Sequence, residues 1–313
     1  MFQSCVIQLT NFKSIAMKFL SLSHLRILLF AMFISLVFYS CKKGGSVGSG
    51  QSVSEQDAAS YAEEGSQASA SYDDVEDVSM MAASEESVNA APNGRYYPLF
   101  DILRARIGLN ATITVSPNDS TYPKTITIDF GSAVSVCADN KLRKGSIIIY
   151  LTGPILRSGS VMTITLQDFY LNGVHIEGTK TISNLSENGA IKFKAQVAGG
   201  KVTYPNGHGY THEGLKYINQ VAGADTKTCI DDVFHIEGTG KTEFSNGVTI
   251  THTTQTALVK KIACPWITEG VMKITVNDRV LLLDYSAPNN GDCDNKALLT
   301  WNAGASSKII LLP

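Results

Sequence analysis

Residues 162–182 read Met162-Thr163-Ile164-Thr165-Leu166-Gln167-Asp168-Phe169-Tyr170-Leu171-Asn172-Gly173-Val174-His175-Ile176-Glu177-Gly178-Thr179-Lys180-Thr181-Ile182. Apolar and polar residues alternate on both sides of Asn172-Gly173, and β-branched residues dominate. Successive side chains of a strand point to opposite faces, so a period of two marks a half-buried β-strand. Asn-Gly between two such runs predicts a tight hairpin, because both central residues of the favoured turn need positive φ. The stretch reads as one hairpin.

The pattern continues in both directions. Ile126, Ile128 and Phe130 alternate with Thr125, Thr127 and Asp129. Further runs lie near 144–152, 190–198, 200–205, 230–244, 247–255, 257–263, 270–276, 279–285, 296–301 and 307–312. Asn188-Gly189, Asn206-Gly207, Asn246-Gly247 and Asn277-Asp278 supply turns between them. Closely spaced short strands with little helical pattern predict a single all-β domain over 96–313, an antiparallel meander. Both a β-sandwich and an open barrel satisfy that pattern. Two echoes point to a repetitive sheet. His175-Ile176-Glu177-Gly178-Thr179 recurs at 235–239, and Asp129-Phe130…Cys137-Ala138-Asp139-Asn140-Lys141 is echoed by Asp284-Tyr285…Cys293-Asp294-Asn295-Lys296.

The 313 residues include 26 basic and 28 acidic side chains, a net charge of −2 that gives no nucleic-acid footprint. At 44% hydrophobic and 17% charged, the chain is neither collagen-like, wholly disordered nor polytopic in a membrane.

The first 95 residues stand apart. Lys18 and Arg26 precede the apolar run Ile27–Phe38, which is the length of a signal peptide core and short for a membrane span. Met17 is a candidate start. Tyr39-Ser40-Cys41-Lys42-Lys43-Gly44-Gly45 then resembles the lipobox of bacterial lipoproteins, with a larger residue at Tyr39 than is usual. The resemblance implies a signal peptide over 1–40 and acylation of Cys41, with palmitate-class chains that make attachment effectively permanent. Residues 41–95 then carry Glu55, Asp57, Glu63, Glu64, Asp73, Asp74, Glu76, Asp77, Glu85 and Glu86 with few apolar residues, which predicts a flexible acidic tether. Within it, Tyr72, Val75, Val78 and Met81 or Ala82 fall at helical spacing, so a helix near 68–86 that docks on the domain is expected.

The run Thr114–Gly131, together with the DDVFHIEGTG, ACP and DCDNKA segments, resembles uncharacterised outer-membrane lipoproteins of Bacteroidota over about 68–313. The resemblance implies an outer-membrane location and an all-β domain, and no activity. Surface export in that group goes with acidic residues soon after the acylated cysteine. Lys42-Lys43 here points to the periplasmic face.

Candidate chemistry is sparse. His175 with Glu177, and His235 with Glu237, would form a zinc or copper set if their strands were neighbours; a solvent-facing polar ladder is the stronger reading. His208 and His212 share a strand face about 13 Å apart, too far for one metal. Asp139-Asn140 and Asp294-Asn295 offer too few oxygens for Ca²⁺, and Asx turns account for them. Trp266, Trp301, Tyr204, Tyr210 and Tyr217 are candidates for a glycan platform, or else core. Asp119-Ser120-Thr121 resembles the Bacteroidota O-glycosylation motif, with Ser120 as acceptor. No nucleophile elbow, HExxH or P-loop is present, so no enzyme and no cofactor is expected.

In an oxidising compartment Cys137, Cys229, Cys264 and Cys293 allow three full pairings. The meander returns Cys264 and Cys293 to one end of the sheet, which favours that pair, with Cys137 as a competitor.

The reading that emerges is a lipid-anchored envelope protein with a non-catalytic binding or structural role. Its partners are the membrane, through the anchor, and a glycan, lipid or envelope protein. The alternatives are a carrier of a hydrophobic ligand in an open barrel and a glycan-directed hydrolase. A carrier needs a cavity of several hundred Å³, a glycan binder exposed aromatics on one face, and a hydrolase two acids about 5–10 Å apart.

Overall fold

The computed structural model describes residues 53–89, 101–187, 190–225, 231–264 and 266–312. The export signal, Cys41, Cys229 and the Asn188-Gly189 turn lie outside them. Helices α1 (Glu55–Asn89) and α2 (Asp101–Ile107) precede fourteen strands. These are β1 (Thr112–Ser116), β2 (Lys124–Asp129), β3 (Ser135–Val136), β4 (Leu142–Leu151), β5 (Val161–Leu171), β6 (Val174–Asn184) and β7 (Lys192–Thr203). They continue as β8 (Gly209–Ala222), β9 (Val233–Phe244), β10 (Thr249–Lys261), β11 (Ile267–Val276), β12 (Arg279–Asp284), β13 (Lys296–Trp301) and β14 (Ser306–Leu311).

All belong to one antiparallel sheet in sequence order, with β3 set aside against β4 and β1 and β14 as its edges. The sheet is a meander, and the domain is therefore no sandwich. The hairpin that opened the reading is β5–β6, turned by Asn172 and Gly173 at φ 52° and 82°. Four expected runs merge into two strands: 190–198 with 200–205 in β7, and 247–255 with 257–263 in β10. Each merged strand carries a register shift, between Val197 and Gly200 and between Thr253 and Leu258, where a bulge interrupts the alternation without ending the strand.

Bulges bend strands, and this sheet curls around α1, which touches β4, β6, β8, β10, β11, β12 and β13. One ladder row runs along the inner face: Val115, Ile126, Ile149, Ile164, Lys180, Val197, Gly214, Gly240, His252, Ile274, Leu281 and Trp301. Its ends are apolar, and its middle, apart from Val197, is polar or glycine. That contrast positions the site.

The expected helix at 68–86 is longer, and it is the core of the domain. Ser54 caps it, accepting from the Asp57 amide at 3.2 Å. Ala58, Ala62, Ala68, Tyr72, Val75, Val78 and Ala82 are buried against the sheet, small residues where the wall is close. A free spacer over the whole of 41–95 is thus corrected for 53–84. Those carboxylates are matched by cations of the sheet: Asp74 meets Arg143 at 2.8 Å and Lys141 at 2.7 Å, and Glu63 meets Lys308 of β14 at 2.6 Å. The cations lie far along the chain, where composition read locally cannot see them.

The echo at the two ends of the sheet is structural. The amides of Gly131 and Ser286 donate to Asp129 and Asp284 at 2.8 Å, and those of Lys141 and Lys296 to Asp139 and Asp294. All four are Asx turns. Cys264 and Cys293 are bonded, with Cα atoms 5.6 Å apart, while Cys137 is a buried free thiol.

Candidate functional site: a cavity between the helix and the sheet

The centre of the inner row is bare because Gly214 and Gly240 pair across β8 and β9. Facing them, α1 presents Gly65, Ser66, Ser69 and Ala70. Between these walls lies a cavity of about 390 Å³. Its body is apolar, formed by Ile250, Leu258, Met272, Ile274 and Leu283, with Trp266 and Tyr285 also on the wall. Both aromatics sit in segments joined by the Cys264–Cys293 bond, so the disulfide fixes that part of the wall.

One side of the cavity is polar. Lys180 of β6 and Lys216 of β8 clamp the helix: Lys180 reaches Asp73 at 3.2 Å and Glu76 at 2.5 Å, and Lys216 reaches them at 2.7 and 3.1 Å. Burial raises the carboxyl pKa values of Asp73 and Glu76, but the two ammonium groups outweigh it and hold both below the usual range. The clamp favours the ionised form of both acids.

Beside the clamp three rings stack. Tyr72 lies over His212 with centroids 5.2 Å apart, and His212 over His252 at 6.3 Å. The Tyr72 hydroxyl donates to the Glu177 carbonyl at 2.8 Å, anchoring the helix end of the stack. His212 Nδ1 shares a hydrogen bond with the Thr242 hydroxyl at 3.0 Å. Gly240 is a glycine for a spatial reason: a Cβ there would fall inside the imidazole of His252.

Burial, reinforced by His252, lowers the His212 pKa from 6.5 to about 4. The folded value lies below the unfolded one, so the unfolded chain binds more protons between them. This contribution is complete above about pH 6.5 and is lost as pH falls through 4, at a cost on the order of 2–3 kcal/mol. Urea midpoints should fall from pH 7 to pH 4, and H212Q should flatten that slope. A slope unchanged in the variant would remove His212 as its source.

The sequence-derived candidates fare differently. β6 and β9 are separated by two strands, about 14 Å, so the His175/Glu177 and His235/Glu237 pairs do not meet. That metal set is corrected: His175 stacks on Tyr170 at 4.5 Å, and among the described residues no three His, Cys, Asp or Glu side chains form a metal cluster. Asp139 is used by Arg143, and Asp294 by Asn289.

The glycan platform is also corrected. Tyr210 is buried, and Tyr204 is half-buried against Tyr210 and His208, because the helix claims the inner face of β8. Trp301 packs on the core at the far end of the inner row, and Tyr217 is half-buried. Trp266 lines the cavity rather than an outer face. Ser120 is exposed in the β1–β2 turn, where Asp119 is engaged by the amide and hydroxyl of Thr121.

Lys216 and His252 carry the polar side without having been singled out. β8 was absent from the expected runs because its inward residues are Tyr210, His212, Gly214, Lys216 and Ile218, mostly polar or bare. The signal was the period of two without hydrophobicity. Compared with known proteins, the chain matches no family model, no curated protein and no solved structure.

Proposed function

We propose that this protein is a lipid-anchored component of the bacterial envelope that binds a small hydrophobic ligand, without catalysis, in the cavity between α1 and the sheet. The observation that carries the reading is the cavity itself: about 390 Å³, with an apolar body and a few polar groups on one side. Ligand sites have this composition and lie within a few hundred to a thousand Å³. The lipobox at Cys41 supports acylation and an outer-membrane address, and Lys42-Lys43 supports the periplasmic face.

A twelve-carbon hydrocarbon bearing a diazirine tests the binding on the full, membrane-attached chain. Photolysis should label peptides of β10 and β11, and Met272→Trp, which fills the cavity from its wall, should reduce that labelling by about tenfold for lost apolar burial. Labelling confined to the outer face of the sheet would overturn the reading. In the same cells Cys41→Ala should abolish incorporation of labelled palmitate, and retained label would overturn the anchor.

A further inference from the structure

His252 is the group in this cavity that the fold leaves unused. Its ring occupies the space that a Cβ at Gly240 would need, and no described residue hydrogen-bonds to either of its ring nitrogens. His212 differs, since Nδ1 is occupied by Thr242, while its Nε2 faces the bare surface at Gly214, 3.4 Å from where a Cβ would stand. A half-buried polar ring on the wall of a cavity completes its hydrogen bonds with water or with a ligand.

The charges around the two imidazoles decide what kind of group that is. From α1 the neighbours are Tyr72, Asp73 and Glu76. From the sheet they are Lys180 on β6 and Lys216 on β8. Two carboxylates face two ammonium groups, and the other charged groups of the lining, Asp74, Asp77, Arg106 and Lys141, pair among themselves, so each charge already has a partner. A carboxylate or ammonium head brought here would be desolvated without a counter-ion. A hydroxyl would not. A neutral imidazole offers one donor and one acceptor, which is the complement of an alcohol. Burial lowers both imidazole pKa values and keeps the rings in that neutral form.

We propose that the ligand is an uncharged amphiphile, a hydrocarbon body of roughly a dozen carbons at interior packing density with one hydroxyl-type head bonded to His252. This rests on the hydrophobic-ligand reading above and adds the chemistry of the head group. The apolar body lies along Ile250, Leu258, Met272 and Ile274, and the head reaches the His252–His212 step.

The test is competition against the diazirine hydrocarbon on the full chain in membranes, with 1-dodecanol, dodecanoate and dodecylammonium as competitors at matched membrane occupancy. Dodecanol should displace the label at concentrations about tenfold below either charged competitor, the cost of burying an uncompensated charge. In His252→Phe, whose ring keeps the place over Gly240, hydrocarbon labelling should persist while dodecanol competition weakens about fivefold, the worth of one hydrogen bond. If cavity labelling occurs but the three competitors act alike, or His252→Phe leaves the preference intact, the head-group inference is wrong while the binding reading stands. If cavity peptides are not labelled at all, both fall. Should His252→Phe lose hydrocarbon labelling as well, His252→Gln, which restores a donor and an acceptor, is expected to recover dodecanol preference; failure to do so overturns the role of His252.

Discussion

Arg143→Ala is expected to destabilise the protein by about 3–5 kcal/mol, the cost of breaking a buried ion pair by removing one partner. Arg143 is 0% exposed and its carboxylate partner Asp74 is 2% exposed. Its guanidinium also binds Asp139 at 2.8 Å and lies 6.0 Å over the Phe130 ring. Burial alone would raise the carboxyl pKa of Asp74, but Arg143 first and Lys141 with it reverse that and hold it below the usual range. Without Arg143 the acid must protonate or draw in water, and the seat of α1 opens. Equilibrium urea unfolding measures this as a lower midpoint at unchanged slope. Arg143→Met with Asp74→Leu should recover much of the loss, since both desolvation costs vanish together. A loss under about 1 kcal/mol in Arg143→Ala would mean that apolar packing alone seats the helix.

Replacing both Cys264 and Cys293 by serine should cost about 3–4 kcal/mol. The bond closes a loop with a sequence separation of 29. On the chain-entropy argument the cross-link removes that much conformational freedom from the unfolded chain. The same change frees the segment that carries Trp266 and the β12–β13 connection that carries Tyr285, so ligand should dissociate faster as well as the fold weaken. Equilibrium unfolding of the double variant against the oxidised protein gives the first quantity, and the decay of photolabelling after dilution gives the second. A double variant within about 1 kcal/mol of the parent would show that the sheet holds both turns without the bond.

The sheet depends on polar contacts where most sheets use apolar ones. Along the inner row the ends are Ile126, Ile149, Ile164, Ile274 and Leu281, and the middle is Lys180, Val197, Gly214, Gly240 and His252. The apolar ends pack on α1. In the middle Lys180 meets the helix carboxylates, Val197 joins the core, the His252 ring covers Gly240, and the cavity lies alongside. Ser66, Ser69 and Ala70 of α1 line it with small side chains, and Gly65 lets the helix approach Ile250 closely.

The sequence by itself determined the all-β meander and its main turns, and it favoured Cys264 with Cys293. Each of these is a local or nearest-neighbour property: alternation fixes which side chains share a face, Asn-Gly fixes the turn, and a meander returns every second turn to the same end. Only the tertiary structure decided that the acidic stretch from Glu55 is the core helix, that β8 is a strand whose inward face is polar, and that His212 and His252 look into one cavity. The physical reason is that a charge or a glycine has no preferred side until its partner is known. Asp74 and Glu76 read as tether until Arg143 and Lys180, 69 and 104 positions further on, make them interior. The His175 and His235 echoes allow a ligand set until strand order puts two strands between them, because in a sheet neighbours are chosen by pairing and not by resemblance.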